Sequence, residues 1–277
     1  MYLVLLTNMK RYIFPVLIFS YLLSACSSNP YAPTNRQYRK QAREFVRQLK
    51  NLPPVENYGG MKALYPVGTT NFNLRKPNFV VIHHTAQNSC EQTLKTFTLP
   101  RTQVSAHYVI CKDGTVHHML NDYFRAWHGG IARWGNDNDI NSNSIGIELD
   151  NNGFEPFPEA QINSLLQLLQ SLKKTYSIPT SHFIGHADIA PARKNDPNAH
   201  FPWQRLAEQG YGCWPDMLLV PVPPTFNAID GLRMIGYDTK DSVAAIRAFK
   251  LHFVQNDLSP ALTDLDRSII YNLIKKY

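Results

Sequence analysis

Residues Phe79-Val80-Val81-Ile82-His83-His84 form an apolar, β-branched run of strand length that ends in two imidazoles. Successive side chains of an extended chain point to opposite faces. Phe79, Val81 and His83 therefore share one face, Val80, Ile82 and His84 share the other, and only one histidine can line a site on a given face. A second strand is expected over Ser144 to Leu149, with Ile145, Ile147 and Leu149 facing one way and Glu148 the other. A carboxylate embedded in a buried strand needs a partner or a purpose. Between these runs, Ala106 to Cys111 and Thr115 to Met119 flank Lys112-Asp113-Gly114, and an Asp-Gly turn between alternating segments predicts a hairpin. Helices are expected from near Asn88 to Leu99 and over Pro158 to Tyr176, where Ile162, Leu165, Leu166, Leu169 and Leu172 fall on one face. Strands alternating with helices make the chain α/β.

Beyond this body lies the Pro-rich joint Val220-Pro221-Val222-Pro223-Pro224. The tail after it reads as three short helices, Asn227 to Met234, Asp241 to Val254 and Thr263 to Lys276, hence a second, small helical domain. With 44% hydrophobic and 18% charged residues the chain has a core to bury, and wholesale disorder is excluded. The formal charge of +7 is spread along the sequence rather than massed in blocks, so no nucleic-acid partner is expected.

At the N-terminus, Lys10 and Arg11 precede a short apolar run, Tyr12 to Leu23, that closes in Leu23-Ser24-Ala25-Cys26. This has the length of a signal-peptide core rather than a membrane span. Leu-Ser-Ala-Cys resembles a bacterial lipobox, which makes Cys26 the acylated first residue of the mature protein and the membrane anchor. Ser27 is not the aspartate of the familiar inner-membrane retention pattern, so the expected location is the outer membrane, facing the periplasm. Arg36 to Leu52 reads as a basic amphipathic helix, with Phe45, Val46, Leu49 and Leu52 at helical spacing. Its apolar stripe is expected to pack on the catalytic body; lying on anionic lipid is the other reading. The boundaries are then 1–25 signal peptide, 26–57 lipidated tether, 58–219 catalytic body and 220–277 helical tail. With Cys26 acylated, Cys90, Cys111 and Cys213 allow at most one disulfide, and the sequence leaves the pair open.

A third concentration of chemistry is Gly185-His186-Ala187-Asp188-Ile189-Ala190-Pro191-Ala192-Arg193-Lys194-Asn195-Asp196-Pro197, a loop stiffened by two prolines and able to hold His186, Lys194 and Asp196 around a point. Taken singly these signals are weak. In order, however, Val81-Ile82-His83-His84-Thr85-Ala86, Ser144 to Leu149 and Gly185 to Pro197 resemble the type 2 N-acetylmuramoyl-L-alanine amidases, the zinc amidases of peptidoglycan related to the peptidoglycan recognition proteins. Ser105-Ala106-His107-Tyr108 and Ala126-Trp127-His128-Gly129-Gly130 match further family segments. Lipobox, body and tail together are similar to the outer-membrane lipoprotein member. The tail around Gly236-Tyr237, Ile246 and Phe249 more loosely resembles a three-helix peptidoglycan-binding domain.

The resemblance implies a mixed central sheet flanked by helices. It also implies Zn²⁺ held by His83, His186 and Asp196, Glu148 as catalytic carboxylate and Lys194 as the cation facing the transition state. Two imidazoles and one carboxylate leave a tetrahedral zinc with an open fourth position, the arrangement of a catalytic site. His84 stands where the family often has tyrosine and leaves the ligand list. Trp127 and His128 are candidate contacts to sugar or peptide, and Arg193 a candidate partner for a stem-peptide carboxylate. The implied reaction is hydrolysis of the amide between N-acetylmuramic acid and L-alanine in peptidoglycan and muropeptides, by a monomer. A non-catalytic peptidoglycan-binding lipoprotein of the same fold is the alternative.

Overall fold

A computed structural model describes residues 29–50, 68–71, 73–74 and 76–277. The signal peptide and Cys26 lie outside the described residues, as does the tether on either side of 29–50. The chain divides into two units at Phe72 and Asn73. The first contains helix α1 (Ala32–Leu49), with Pro33 in its first turn and an Arg47–Glu44 pair at 2.8 Å near its end. Among the described residues no helix is long and apolar enough to cross a membrane.

The second unit is built on a five-stranded sheet in the order β3-β2-β4-β1-β5. The strands are β1 (Phe79–His84), β2 (Tyr108–Ile110), β3 (Val116–His118), β4 (Ser144–Leu149) and β5 (Phe183–Gly185). β1 pairs in parallel with β4 and β5, β4 in parallel with β2, and β3 closes the edge antiparallel as the second arm of the expected hairpin. The sheet is therefore mixed and flanked by helices, as the resemblance implies. Every residue of β1 and β4 is buried, because both faces are covered.

Register sorts the two faces. Val80↔Ile145 and Ile82↔Ile147 are paired, and these side chains join Tyr108, Ile110, Leu149 and Phe183 in one core beneath α4 (Glu159–Tyr176), which contributes Ile162, Leu165, Leu166, Leu169 and Leu172. The opposite face carries Phe79, Val81 and, at the strand ends, His83↔Glu148. Helix α2 (Cys90–Thr98) is capped by Ser89, whose side chain accepts from Gln92 N, and is tied to the hairpin by a Cys90–Cys111 disulfide. Cys213 is the buried free thiol. Helix α3 (Ile140–Asn143) leads into β4 and, beyond α4, two short helices, α5 (His186–Ile189) and α6 (Trp203–Glu208), bracket the Pro-rich loop.

The tail forms α7 (Ala228–Ile235), α8 (Ser242–Phe253) and α9 (Asp264–Leu273), and each starts at a side-chain cap: Asn227, Asp241 and Thr263. Leu232, Ile235, Tyr237, Phe249, Ile270 and Leu273 belong to one cluster with Phe79, Val81, Ile184, Ala187 and Ile189, so the tail covers the second face of the sheet. Residues 73–277 form one unit despite the proline joint. Gly236 shows how close the two parts lie: its φ is +137°, and a Cβ there would fall 2.5 Å from the Trp134 ring. Gly135 N donates to the Gly236 carbonyl at 2.7 Å across the same contact.

Candidate active site

The site sits at the C-terminal ends of the parallel strands, where ligands collect in open α/β sheets. β1 ends in His83, the turn from β5 into α5 supplies His186, and the loop after α5 returns Asp196. All three are buried, although 113 positions separate the outer two. His83 Nδ1 lies 2.9 Å from His186 Nδ1 and 3.2 Å from Asp196 Oδ2, and His186 Nδ1 lies 3.1 Å from the same oxygen.

This triangle fits a metal ion better than it fits a set of hydrogen bonds. His186 Nε2 is 3.1 Å from the Gly129 carbonyl, an acceptor only, so the ring donates there and a neutral His186 presents a bare lone pair at Nδ1. A bare nitrogen beside a carboxylate oxygen and a second ring nitrogen calls for a cation. The separations also approach the ~3.3 Å edge of a tetrahedron with metal–ligand bonds of about 2.0–2.1 Å. The donor set, two imidazoles and a carboxylate, suits zinc. The other cluster of metal-compatible side chains among the described residues, Cys90, Cys111 and His117, has its two sulfurs joined in the disulfide.

Glu148 stands opposite His83 in the β1–β4 ladder. It is buried, and its Oε2 has no hydrogen-bond partner among the described residues. Burial first, and then the nearby Asp196 charge, push its carboxyl up to about 8, with Lys194 pulling the other way. Burial and the neighbouring His186 hold His83 down at about 4, so its ring is neutral at physiological pH. Lys194 is exposed on the 191–196 loop, and its charge reaches His83, His84 and Glu148. A buried carboxyl poised near neutrality, a cation and a metal-compatible triad within one field form a hydrolytic constellation.

Residues 73–199 match the family described as N-acetylmuramoyl-L-alanine amidase. The chain is 34% identical over 230 residues to N-acetylmuramoyl-L-alanine amidase AmiD of Escherichia coli, an alignment covering 72% of this chain and 82% of that protein. This chain belongs to the N-acetylmuramoyl-L-alanine amidase family. The structure of E. coli AmiD in complex with anhydro-N-acetylmuramic acid-L-Ala-D-gamma-Glu-L-Lys superposes with a TM-score of 0.67 at 30% identity, covering 78% of this chain and 97% of AmiD. AmpDh3 of Pseudomonas aeruginosa in complex with anhydromuramic pentapeptide gives a TM-score of 0.68 at 27% identity, over 80% and 98% of the two chains.

Around this triangle the remaining expected contacts divide. Trp127 is half exposed, anchored by its backbone N–H to Ser105 Oγ at 2.9 Å, and is free to meet a ligand. His128 is buried, with Nδ1 3.0 Å from His83 Nε2 and Nε2 3.1 Å from Ser144 Oγ, so both ring nitrogens are engaged within the protein. Arg193 Nη2 donates to the carbonyls of Gly129 at 2.7 Å and Ile131 at 2.8 Å, clamping the 129–131 loop. His84 points to the opposite face, where its Nδ1 accepts from Asn198 N at 3.1 Å, two residues beyond Asp196.

Asp188 was not singled out from the sequence. It is buried two positions after His186 and accepts from Gly185 N, from His252 Nδ1 and from Tyr237 Oη, each at 2.7 Å. The tail thereby holds the turn that carries a member of the triad. The signal that could have found it is a carboxylate in an otherwise apolar segment, Ala187 to Ala190.

Proposed function

We propose that this amidase is zinc-dependent and cleaves the amide between the lactyl group of N-acetylmuramic acid and L-alanine, in peptidoglycan and in soluble muropeptides. The observation that carries the reading is the triangle of His83 Nδ1, His186 Nδ1 and Asp196 Oδ2 beside an unpartnered Glu148. Support for the substrate comes from AmiD, whose structure holds an anhydromuramyl tripeptide and whose fold this chain shares. Zinc on the triad would supply Lewis acidity toward a carbonyl oxygen and toward water.

The chain's own groups then divide the proton and charge work. Glu148 takes a proton from the attacking water, a role that a buried carboxyl suits once the positive charge of zinc draws it back down into its ionised form. Lys194 faces the oxyanion that develops as the carbon–oxygen double bond opens. Glu148 returns the proton to the alanine nitrogen as the C–N bond breaks, which leaves a lactyl carboxylic acid and a free amine; the acid then gives its proton to the amine. Trp127 offers an aromatic surface for sugar or peptide. The inner face of the tail is committed to the amidase core, so contact with polymeric wall falls to its outer face. Acylation at Cys26 places this chemistry at the outer membrane, facing the periplasm.

The test is mass spectrometry of soluble muropeptides, intact and 1,6-anhydro, and of sacculi, each treated with the purified chain before and after chelation. Stem peptides with a free L-alanine amine, released before chelation and restored by added zinc, are expected. Release that survives chelation, or cleavage at another bond, refutes the reading.

A further inference from the structure

We infer that His128 is a positioning residue that fixes the ring tautomer of His83 through a proton-ordered chain running Ile140, Ser144, His128, His83. The inference rests on the zinc reading above.

The argument is one of donors and acceptors, counted from the closed end of the chain. Ser144 Oγ lies 2.6 Å from the Ile140 carbonyl, which can only accept, so the hydroxyl proton is committed there. Toward His128 Nε2, at 3.1 Å, the serine oxygen is therefore an acceptor and the imidazole carries its proton on Nε2. His128 is buried with no carboxylate among its polar contacts, and an uncompensated imidazolium there is costly. Its ring is neutral and Nδ1 is a bare acceptor. The partner of that acceptor is His83 Nε2 at 3.0 Å, which must donate. A neutral His83 protonated on Nε2 has its lone pair on Nδ1, the atom that faces His186 and Asp196. Each step leaves one option, so the Ile140 carbonyl, three hydrogen bonds away, decides which nitrogen of His83 would be available to a metal.

The surroundings hold the ring in place. Gly146, on β4 between Ser144 and Glu148, leaves the space that His128 fills: a Cβ there would lie 2.4 Å from His128 Cγ. Gly146 N donates to His107 Nδ1 at 3.1 Å, while His107 Nε2 reaches the Phe124 carbonyl at 3.0 Å. Asn141 Oδ1 accepts from both His128 N and Gly129 N, at 3.2 and 2.8 Å. Gly129 is also the residue whose carbonyl fixes the tautomer of His186. One segment, His128-Gly129, thus orders both imidazoles of the triad, one by a side chain and the other by a carbonyl. Outer partners of this kind are typically worth about 10–100-fold in metal affinity.

The test uses the full chain, with zinc dissociation constants from competition against a chromophoric chelator and ¹⁵N NMR of the histidine rings in the metal-free protein. The expected spectrum shows His128 protonated on Nε2 alone and His83 carrying a proton on Nε2. His128→Leu, which cannot accept, should weaken zinc binding about 10–100-fold. His128→Asn, whose side-chain oxygen can replace Nδ1 as acceptor, should recover most of that loss. Ser144→Ala should leave His128 in place but give it mixed tautomers. A His83 without a proton on Nε2 in the metal-free parent, or zinc affinity of the parent in His128→Leu, overturns the inference. A parent that binds no zinc overturns the metal reading instead, and the tautomer pattern, read without metal, still decides whether the chain is ordered.

Discussion

The hydroxyl of Tyr237 donates to Asp188 at 2.7 Å, joining the turn between two tail helices to the turn that bears His186. His252 meets the same carboxylate from α8 and is stacked on Trp203, with ring centroids 3.8 Å apart. A hydrogen bond to a buried charged group contributes about 1.5–3 kcal/mol. Tyr237→Phe is therefore expected to lower the unfolding free energy by that amount and to weaken zinc retention through His186. Denaturant titration with a parallel chelator competition measures both. Truncation after Val220 would strip the cover from Phe79, Val81 and Ile184 and should yield an aggregating chain inactive on small and polymeric substrates alike. A soluble truncated form with parental turnover of small muropeptides would show that the brace is dispensable.

The Asp196 carboxylate is the only anionic member of the proposed ligand set. Asp196→Ala leaves two neutral imidazoles, so zinc content after dialysis should fall from one ion per chain to a small fraction. Elemental analysis decides the point, and full occupancy in this variant would remove Asp196 from the set.

How much of this was legible beforehand follows from the range of each interaction. Strands β1 and β4 carry their own pattern, and the tail helices announce themselves by caps at Asn227, Asp241 and Thr263, all local signals. β5 is only three residues, too short for alternation to register, and it forms because Val80, Val81 and Ile82 of β1 supply a ladder for it. The triad was reachable through its resemblance to a family. The partners of the His128 ring and the tail partners of Asp188 lie 16 to 64 positions away, and no local pattern encodes such contacts. The seat of the tail is hidden for a related reason: the proline joint is local, whereas the apolar face that α7 to α9 cover belongs to strands far upstream.

The Cys90–Cys111 disulfide spans 21 positions and ties α2 to the β2–β3 hairpin. Closing a loop of that size in the unfolded chain is worth about 3 kcal/mol on chain-entropy grounds. A Cys90→Ala/Cys111→Ala variant should lose roughly that much stability in denaturant titration while keeping its zinc, since neither sulfur touches the triad. Unchanged stability would mean that the bridge does not constrain the unfolded state.

Glu148→Gln should retain zinc and lose about 10² to 10⁴-fold in turnover, as for removal of a general acid–base group. The same substitution tests the electrostatics without catalysis. In the metal-free protein the Glu148 carboxyl is raised from its ordinary 4.5 to about 8. Between those values the unfolded chain releases this proton while the folded chain keeps it. Fewer protons are then bound in the unfolded state, and stability falls as pH rises. The slope is at most about 1.4 kcal/mol per pH unit for one group. Below 4.5 both states are protonated and the contribution is complete; above 8 both are ionised and it is gone. Glutamine carries no charge at any pH, so the metal-free variant should match the parent near pH 4.5 and become the more stable of the two by pH 9. With zinc bound the added positive charge pulls the carboxyl down again, and the gap should narrow. Parallel unfolding profiles for the two metal-free proteins from pH 4.5 to 9 would mean that Glu148 is solvated, and its role as a proton carrier in a dry strand would fall with that result.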